Sequence, residues 1–167
     1  MKPECLQCHA DIARRVSPSG PVERFLTLFS MYSFRCQVCA HRYRRFTLGA
    51  DRLAFPSDQR QFDRLPTSVR ATIVGAQGQS EDVITDLSMG GCTLRTTAPL
   101  AKGAFLHLGL KPSHHGPAIL VETAMVRSVR PESVGLEFLE FEGGQKDRLA
   151  EFVRGLLLAR QPAPVMG

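Results

Sequence analysis

No stretch of this 167-residue sequence approaches the roughly eighteen consecutive apolar residues that a membrane-spanning helix requires. Its first residues, MKPECLQCHA, contain no hydrophobic signal region. No Ser/His/Asp set, no cleft pattern of paired carboxylates and no G-x-x-x-x-G-K-[ST] phosphate loop occurs. With 22% charged and 43% hydrophobic residues the chain does not read as disordered or as a coiled coil. Membrane insertion, export and catalysis are therefore not expected. The expectation is a cytoplasmic, non-enzymatic protein of one ordinary domain plus a small module.

Cysteine is also scarce, five residues in all, and both cysteine and charge are unevenly placed. The whole net charge of +5 lies in residues 1–50, while 51–167 balance to zero. The N-terminal part is thus where an anionic partner would be sought. Four cysteines form two C-x-x-C pairs, Cys5 with Cys8 and Cys36 with Cys39. Without an export signal a disulfide is the wrong default. Two C-x-x-C turns instead present four thiolates to one tetrahedral zinc ion. A redox dithiol pair, or a site that has lost its metal, stays open as an alternative. The surroundings Glu4-Cys5-Leu6-Gln7-Cys8-His9 and Phe34-Arg35-Cys36-Gln37-Val38-Cys39-Ala40-His41 resemble the zinc-ribbon family, in which two hairpins share one zinc.

The 27 residues between Cys8 and Cys36 exceed the spacer of about 15–20 usual for such sites. Val22, Phe25, Leu26 and Phe29 fall at i, i+3, i+4, i+7 and predict a short amphipathic helix there. His9 and His41 are expected beside the metal or in solvent, not as ligands. A segment of fifty residues buries little apolar surface, so a structural zinc would supply much of its folding free energy. Arg14, Arg15, Arg35, Arg42, Arg44 and Arg45 can meet nucleic acid phosphates. A protein partner is the favoured expectation, because no groove-reading helix is evident.

Beyond residue 65 the hydrophobic period becomes two. Six short strands are predicted around 69–73, 82–85, 92–96, 105–110, 118–130 and 133–140, closing into an antiparallel barrel. A C-terminal helix follows, with Leu149, Phe152, Val153, Leu156 and Leu157 on its apolar stripe and Arg148, Glu151 and Arg154 towards water. Cys92 reads as a small buried hydrophobe, and His114 and His115 as solvated loop residues.

Arg60-Gln61-Phe62-Asp63-Arg64 precedes the first of these strands, and Asp86-Leu87-Ser88-Met89-Gly90-Gly91 lies between the second and third. In this order they resemble the PilZ domain, the bacterial receptor module for cyclic di-GMP, whose signature is R-x-x-x-R followed by [D/N]-x-S-x-x-G. Arg60 and Arg64 match the first motif; Asp86, Ser88 and Gly91 match the second. Leu94 and Val134-Gly135-Leu136-Glu137-Phe138 also look like the family, and the resemblance covers about 58–158.

The chemistry of the residues agrees with it. Arginine forks fit phosphate oxygens and the guanine O6/N7 edge. Asp86 can accept from guanine N1–H and N2–H₂, Ser88 offers a hydroxyl, and Gly90 and Gly91 permit close backbone approach and positive φ.

The expectation is then a cyclic di-GMP receptor with one structural zinc per chain, held by Cys5, Cys8, Cys36 and Cys39. The zinc-ribbon module (1–49) is its output, joined by a linker (50–59) to a PilZ domain (60–160) and a tail (161–167). Its partners are the nucleotide and a protein; nucleic acid is the less favoured alternative. Gln59 before the first arginine leans towards one bound nucleotide molecule.

Overall fold

The computed structural model describes residues 4–10, 12–18, 20–46, 62–76, 78–112 and 116–160. The expectations for Arg60, Gln59, the 50–59 linker, His114, His115 and the 161–167 tail lie outside them. The chain divides into two units, 1–63 and 64–167.

In the first unit, β1 (Ala13–Arg15), β2 (Met31–Cys36) and β3 (Arg42–Phe46) form an antiparallel sheet in that order. The core is small: Cys5, Ala10, Tyr32, Phe34, Cys36, Val38 and Tyr43. Phe34 stacks on Tyr43 with ring centroids 6.0 Å apart, and the Arg15 guanidinium lies 3.5 Å above the Tyr32 ring. The hairpin expected at the second knuckle is present as β2–β3. Around the first knuckle the described residues hold only a turn, with β1 beginning later, so the sheet has three strands where the resemblance implied two hairpins.

The short helix is α1 (Pro21–Leu28), with proline at its first turn, where a missing N–H costs nothing. None of its residues is buried. Val22, Phe25, Leu28 and Phe29 are exposed, and the half-buried side carries Glu23, Leu26 and Thr27. Glu23 accounts for this orientation, because it accepts from Arg42 at 2.5 Å and from Arg44 at 3.3 Å on β3. Of the predicted stripe only Leu26 lies on this half-buried side, beside Glu23.

In the second unit, β4 (Leu65–Gly75), β5 (Gly78–Ser88), β6 (Gly91–Arg95), β7 (Phe105–Lys111), β8 (Ile119–Arg130) and β9 (Ser133–Phe141) close into an antiparallel barrel of order β4-β5-β6-β9-β8-β7. This is the expected six-stranded barrel. Strict alternation puts Val69, Ala71, Ile73, Leu106, Leu108, Leu110, Val134, Leu136 and Phe138 inside. The helix α2 (Gln145–Ala159) buries Leu149 and Val153, while Phe152, Leu156 and Leu157 are half-buried. Arg148 departs from its expected solvent position. It is half-buried and donates to the carbonyls of Pro117 at 2.7 Å and Ala118 at 2.9 Å, tying the helix to the approach of β8.

Candidate functional site

Leu65, Leu87 and Cys92 are paired neighbours across β4, β5 and β6, and all three point into the core. Side chains one position away must point outward. Pro66, Asp86 and Thr93 occupy that outer row. Asp86 owes its direction to an irregularity. Between Ile84 and Asp86 the strand β5 advances two residues while β6 advances one, from Leu94 to Thr93. Without that bulge, alternation from inward Ile84 would turn Asp86 into the core. With it, Asp86 stands on the outer surface beside Thr93.

Arg64, directly before β4, reaches the same place. Its Nη1 donates to Asp86 Oδ1 at 3.1 Å and to Thr93 Oγ1 at 2.6 Å, and Thr93 Oγ1 lies 3.0 Å from Asp86 Oδ1. The arginine and aspartate side chains are 33% and 27% exposed, so the cluster is open to solvent. One arginine of the first motif and the acid of the second therefore meet. Thr93 was not a candidate from the sequence, because only the bulge brings it to this position.

The second motif sits differently from the expected loop. Asp86 to Ser88 are the last residues of β5, and Gly91 is the first of β6, leaving Met89-Gly90 as the turn. Ser88 is buried, and its hydroxyl donates to the Gly91 carbonyl at 3.0 Å, so in this state it serves the turn. Gly91 is needed for close approach and not for an unusual backbone angle. A Cβ there would lie 2.1 Å from the Leu136 carbonyl oxygen on β9, and its φ is not positive. Cys92 is fully buried as expected; burial, with Asp86 nearby, pushes its thiol well above the ordinary range.

The other cluster belongs to the first unit. The Sγ atoms of Cys5, Cys8, Cys36 and Cys39 all lie within 4.8 Å of one another, with Cys5–Cys39 and Cys8–Cys36 at 3.5 Å. A tetrahedral zinc with about 2.3 Å bonds needs sulfurs about 3.8 Å apart, so the donor set fits. The two knuckles share one backbone design. Cys5 N–H donates to Ala10 O and Cys36 N–H to His41 O, both at 2.9 Å, and the residue after each second cysteine, His9 or Ala40, has positive φ.

Thiol chemistry also suits a cation. Burial, then the neighbouring thiols of Cys8, Cys5 and Cys36, drive the Cys39 thiol well up. Burial raises Cys5 too, but the N–H groups of Cys8 and Gln7 outweigh it and leave that thiol below its ordinary value. Four thiolates this close need a divalent charge among them. The histidines stand apart: His9 faces Glu4 at 3.5 Å, and His41 stacks on Tyr43.

The described residues thus carry two side-chain clusters, an outward arginine–aspartate–threonine cluster on a closed six-stranded barrel and a four-cysteine metal-type cluster in the first unit. The PilZ domain family matches residues 58–155, more than half of the chain, and the chain belongs to that family. PilZ domains are cyclic di-GMP receptor and effector domains, not enzymes. The structure of the Bacillus subtilis inhibitor of motility (MotI/DgrA) matches with a TM-score of 0.52 at 17% identity, over 78% of this chain and 68% of that one. The crystal structure of the PilZ domain of CeSA from a cellulose-synthesizing bacterium matches with a TM-score of 0.46 at 19% identity, over 57% of this chain and 98% of that one. No curated protein matches the chain. No helix among the described residues is long and apolar enough to cross a membrane.

Proposed function

We propose that this protein is a cytoplasmic cyclic di-GMP receptor whose N-terminal module, built on one zinc ion held by Cys5, Cys8, Cys36 and Cys39, passes the signal to a protein partner. The observation that carries the receptor reading is the meeting of Arg64 and Asp86. An arginine whose fork suits phosphate and guanine and a carboxylate that can accept from guanine, 22 residues apart in sequence, lie 3.1 Å from each other on an open surface. Arg60 completes the arginine pair in sequence. Ser88 and Gly91 shape the turn beside the pair, and Ser88 would donate to ligand only by giving up its bond to Gly91.

A protein partner is favoured over nucleic acid by how the module uses its arginines. Arg14 pairs with Asp63, Arg42 and Arg44 with Glu23, and Arg15 covers Tyr32. The exposed side of α1 carries Val22, Phe25 and Leu28, with Arg24 as its one charged residue. Capture of the nucleotide by Arg60 and Arg64 acts on the end of the 50–59 tether, which gives the signal a route to the module. Calorimetry with cyclic di-GMP tests the receptor reading: one molecule should bind per chain, and no heat at tens of micromolar nucleotide would overturn it. Metal analysis of the purified protein should find one zinc per chain; none, or two, would overturn the metal assignment.

A further inference from the structure

We infer that Thr93 is a positioning residue of the nucleotide site, fixing both Arg64 and Asp86 in the geometry that receives the ligand. The inference rests on the receptor reading above and adds a residue that lies in neither sequence motif.

The hydrogen-bond direction is settled by the groups themselves. Arginine can only donate and an ionised carboxylate can only accept. The Thr93 hydroxyl therefore accepts from Arg64 Nη1 at 2.6 Å and sends its single proton to Asp86 Oδ1 at 3.0 Å. Arg64 Nη1 also reaches Asp86 Oδ1 directly, which closes a three-membered ring of contacts. The ring consumes one nitrogen of the guanidinium and one oxygen of the carboxylate. Among the described residues, Arg64 Nε and Nη2 and Asp86 Oδ2 make no hydrogen bond. The atoms that would read phosphate and guanine are left over, on two side chains whose orientation is already fixed.

Among the described residues the Thr93 hydroxyl has no partner other than Arg64 and Asp86. Thr93 is half-buried and points outward on β6, so it adds nothing to the barrel core. Its strand partners are Asp86 on one side and Gly135 on the other. At Gly135 a Cβ would meet the Ser128 hydroxyl at 2.5 Å, so no side chain rises on that flank to hold Arg64 or Asp86 in its place. The bulge at Thr85 is what makes Thr93 and Asp86 neighbours, and it thereby determines which residue does the positioning. Fixing a long, rotamer-rich arginine before the ligand arrives removes part of the ordering cost of binding.

Three variants test this by calorimetry with cyclic di-GMP and cyclic di-AMP. Thr93→Val keeps the shape and loses the hydroxyl. It should bind cyclic di-GMP about tenfold more weakly and show a smaller preference for guanine over adenine. Thr93→Ser keeps the hydroxyl and should bind within about twofold of the wild type. Thr93→Ala, which adds no bulk, should repeat the valine result should valine disturb β6. Melting temperatures should stay together, because the core is untouched. The loss of base preference separates positioning from general weakening. Wild type that binds while Thr93→Val and Thr93→Ala bind equally well or more tightly would overturn the role of Thr93 alone. Wild type that binds no cyclic di-GMP would overturn the receptor reading, and the role of Thr93 with it.

Discussion

The Gln37 side chain accepts a hydrogen bond at 2.7 Å from the backbone N–H of Asp63. Gln37 lies between the two cysteines of the second knuckle and is 3% exposed. Arg14 pairs with the Asp63 carboxylate, and the Arg35 guanidinium lies 5.8 Å from the Phe62 ring. The residue just ahead of Arg64 is thus held by the cysteine-bearing unit. Gln37→Ala should speed amide hydrogen exchange at Asp63 by about five- to tenfold with zinc content unchanged. A zinc chelator should deprotect Asp63 together with 31–46 while leaving the β4–β9 amides slow, because the barrel has its own core. Unaltered exchange at Asp63 under both treatments would show that this contact carries no free energy.

For the ligand, Arg60→Ala and Arg64→Ala should each remove charge-assisted contacts of roughly 1.5–3 kcal/mol, about ten- to a hundredfold in affinity. Asp86→Ala should blunt discrimination between cyclic di-GMP and cyclic di-AMP. These changes should leave stability nearly unaltered, because the Arg64–Asp86 pair is partly solvated and worth little to folding. Calorimetry paired with thermal melts checks both statements.

Much of this was legible in the sequence because it rests on local spacing. Period-two alternation gave six strands, and the paired C-x-x-C turns gave four sulfurs able to surround one ion. What was not legible depends on cross-strand register. No local signal announces the bulge after Ile84, and without it neither the outward turn of Asp86 nor the presence of Thr93 follows. The apolar stripe of α1 was readable, but its orientation is decided by Glu23 meeting two arginines nineteen and twenty-one residues away. Arg148 reads as a solvated helix residue until the Pro117 and Ala118 carbonyls are placed beside it.

Ala40 closes the second knuckle at φ 63°, in the left-handed region where a side chain costs about 1 kcal/mol or more. Ala40→Gly relieves that cost without touching a sulfur. The variant should hold zinc more tightly, about fivefold in competition with a chromophoric chelator. Weaker retention would mean that the alanine methyl does more for the small core than the strain takes away.

Cys92 supplies a pH dependence. Its thiol is buried and held above its ordinary value of 9.0, first by burial and then by the nearby Asp86 charge. The folded state favours the protonated form, so this contribution to stability is complete below pH 9 and declines as pH rises above it. Cys92→Ala removes the group. Denaturant melts at pH 8 and pH 10 should show the wild-type barrel losing more stability than the variant over that interval. Equal losses would mean that the thiol stays out of the alkaline unfolding.

Gly91 and Gly155 make opposite demands on one substitution. At Gly91 a Cβ would stand 2.1 Å from the Leu136 carbonyl oxygen and 3.2 Å from the Glu137 Cα, so backbone and not a flexible side chain blocks it. β6 pairs with β9 at this point, Gly91 opposite Glu137 and Cys92 opposite Leu136. To admit a methyl the two strands must separate, which strains the ladder and lifts Cys92 and Leu136 out of register. Gly91→Ala should therefore cost about 3 kcal/mol or more, at or beyond the upper end of overpacking penalties. It should also weaken ligand binding, since Ser88 donates to the carbonyl of the same residue. Gly155 lies within α2 with open space where a Cβ would point. Alanine there restricts the unfolded chain and suits the helix, so Gly155→Ala should gain about 0.5–1 kcal/mol. Both changes are read on the same denaturant melt of the barrel. A Gly91→Ala protein as stable as the wild type would mean that β6 and β9 can part at the site without loss, and the close approach would lose its claim as the reason for glycine at that position.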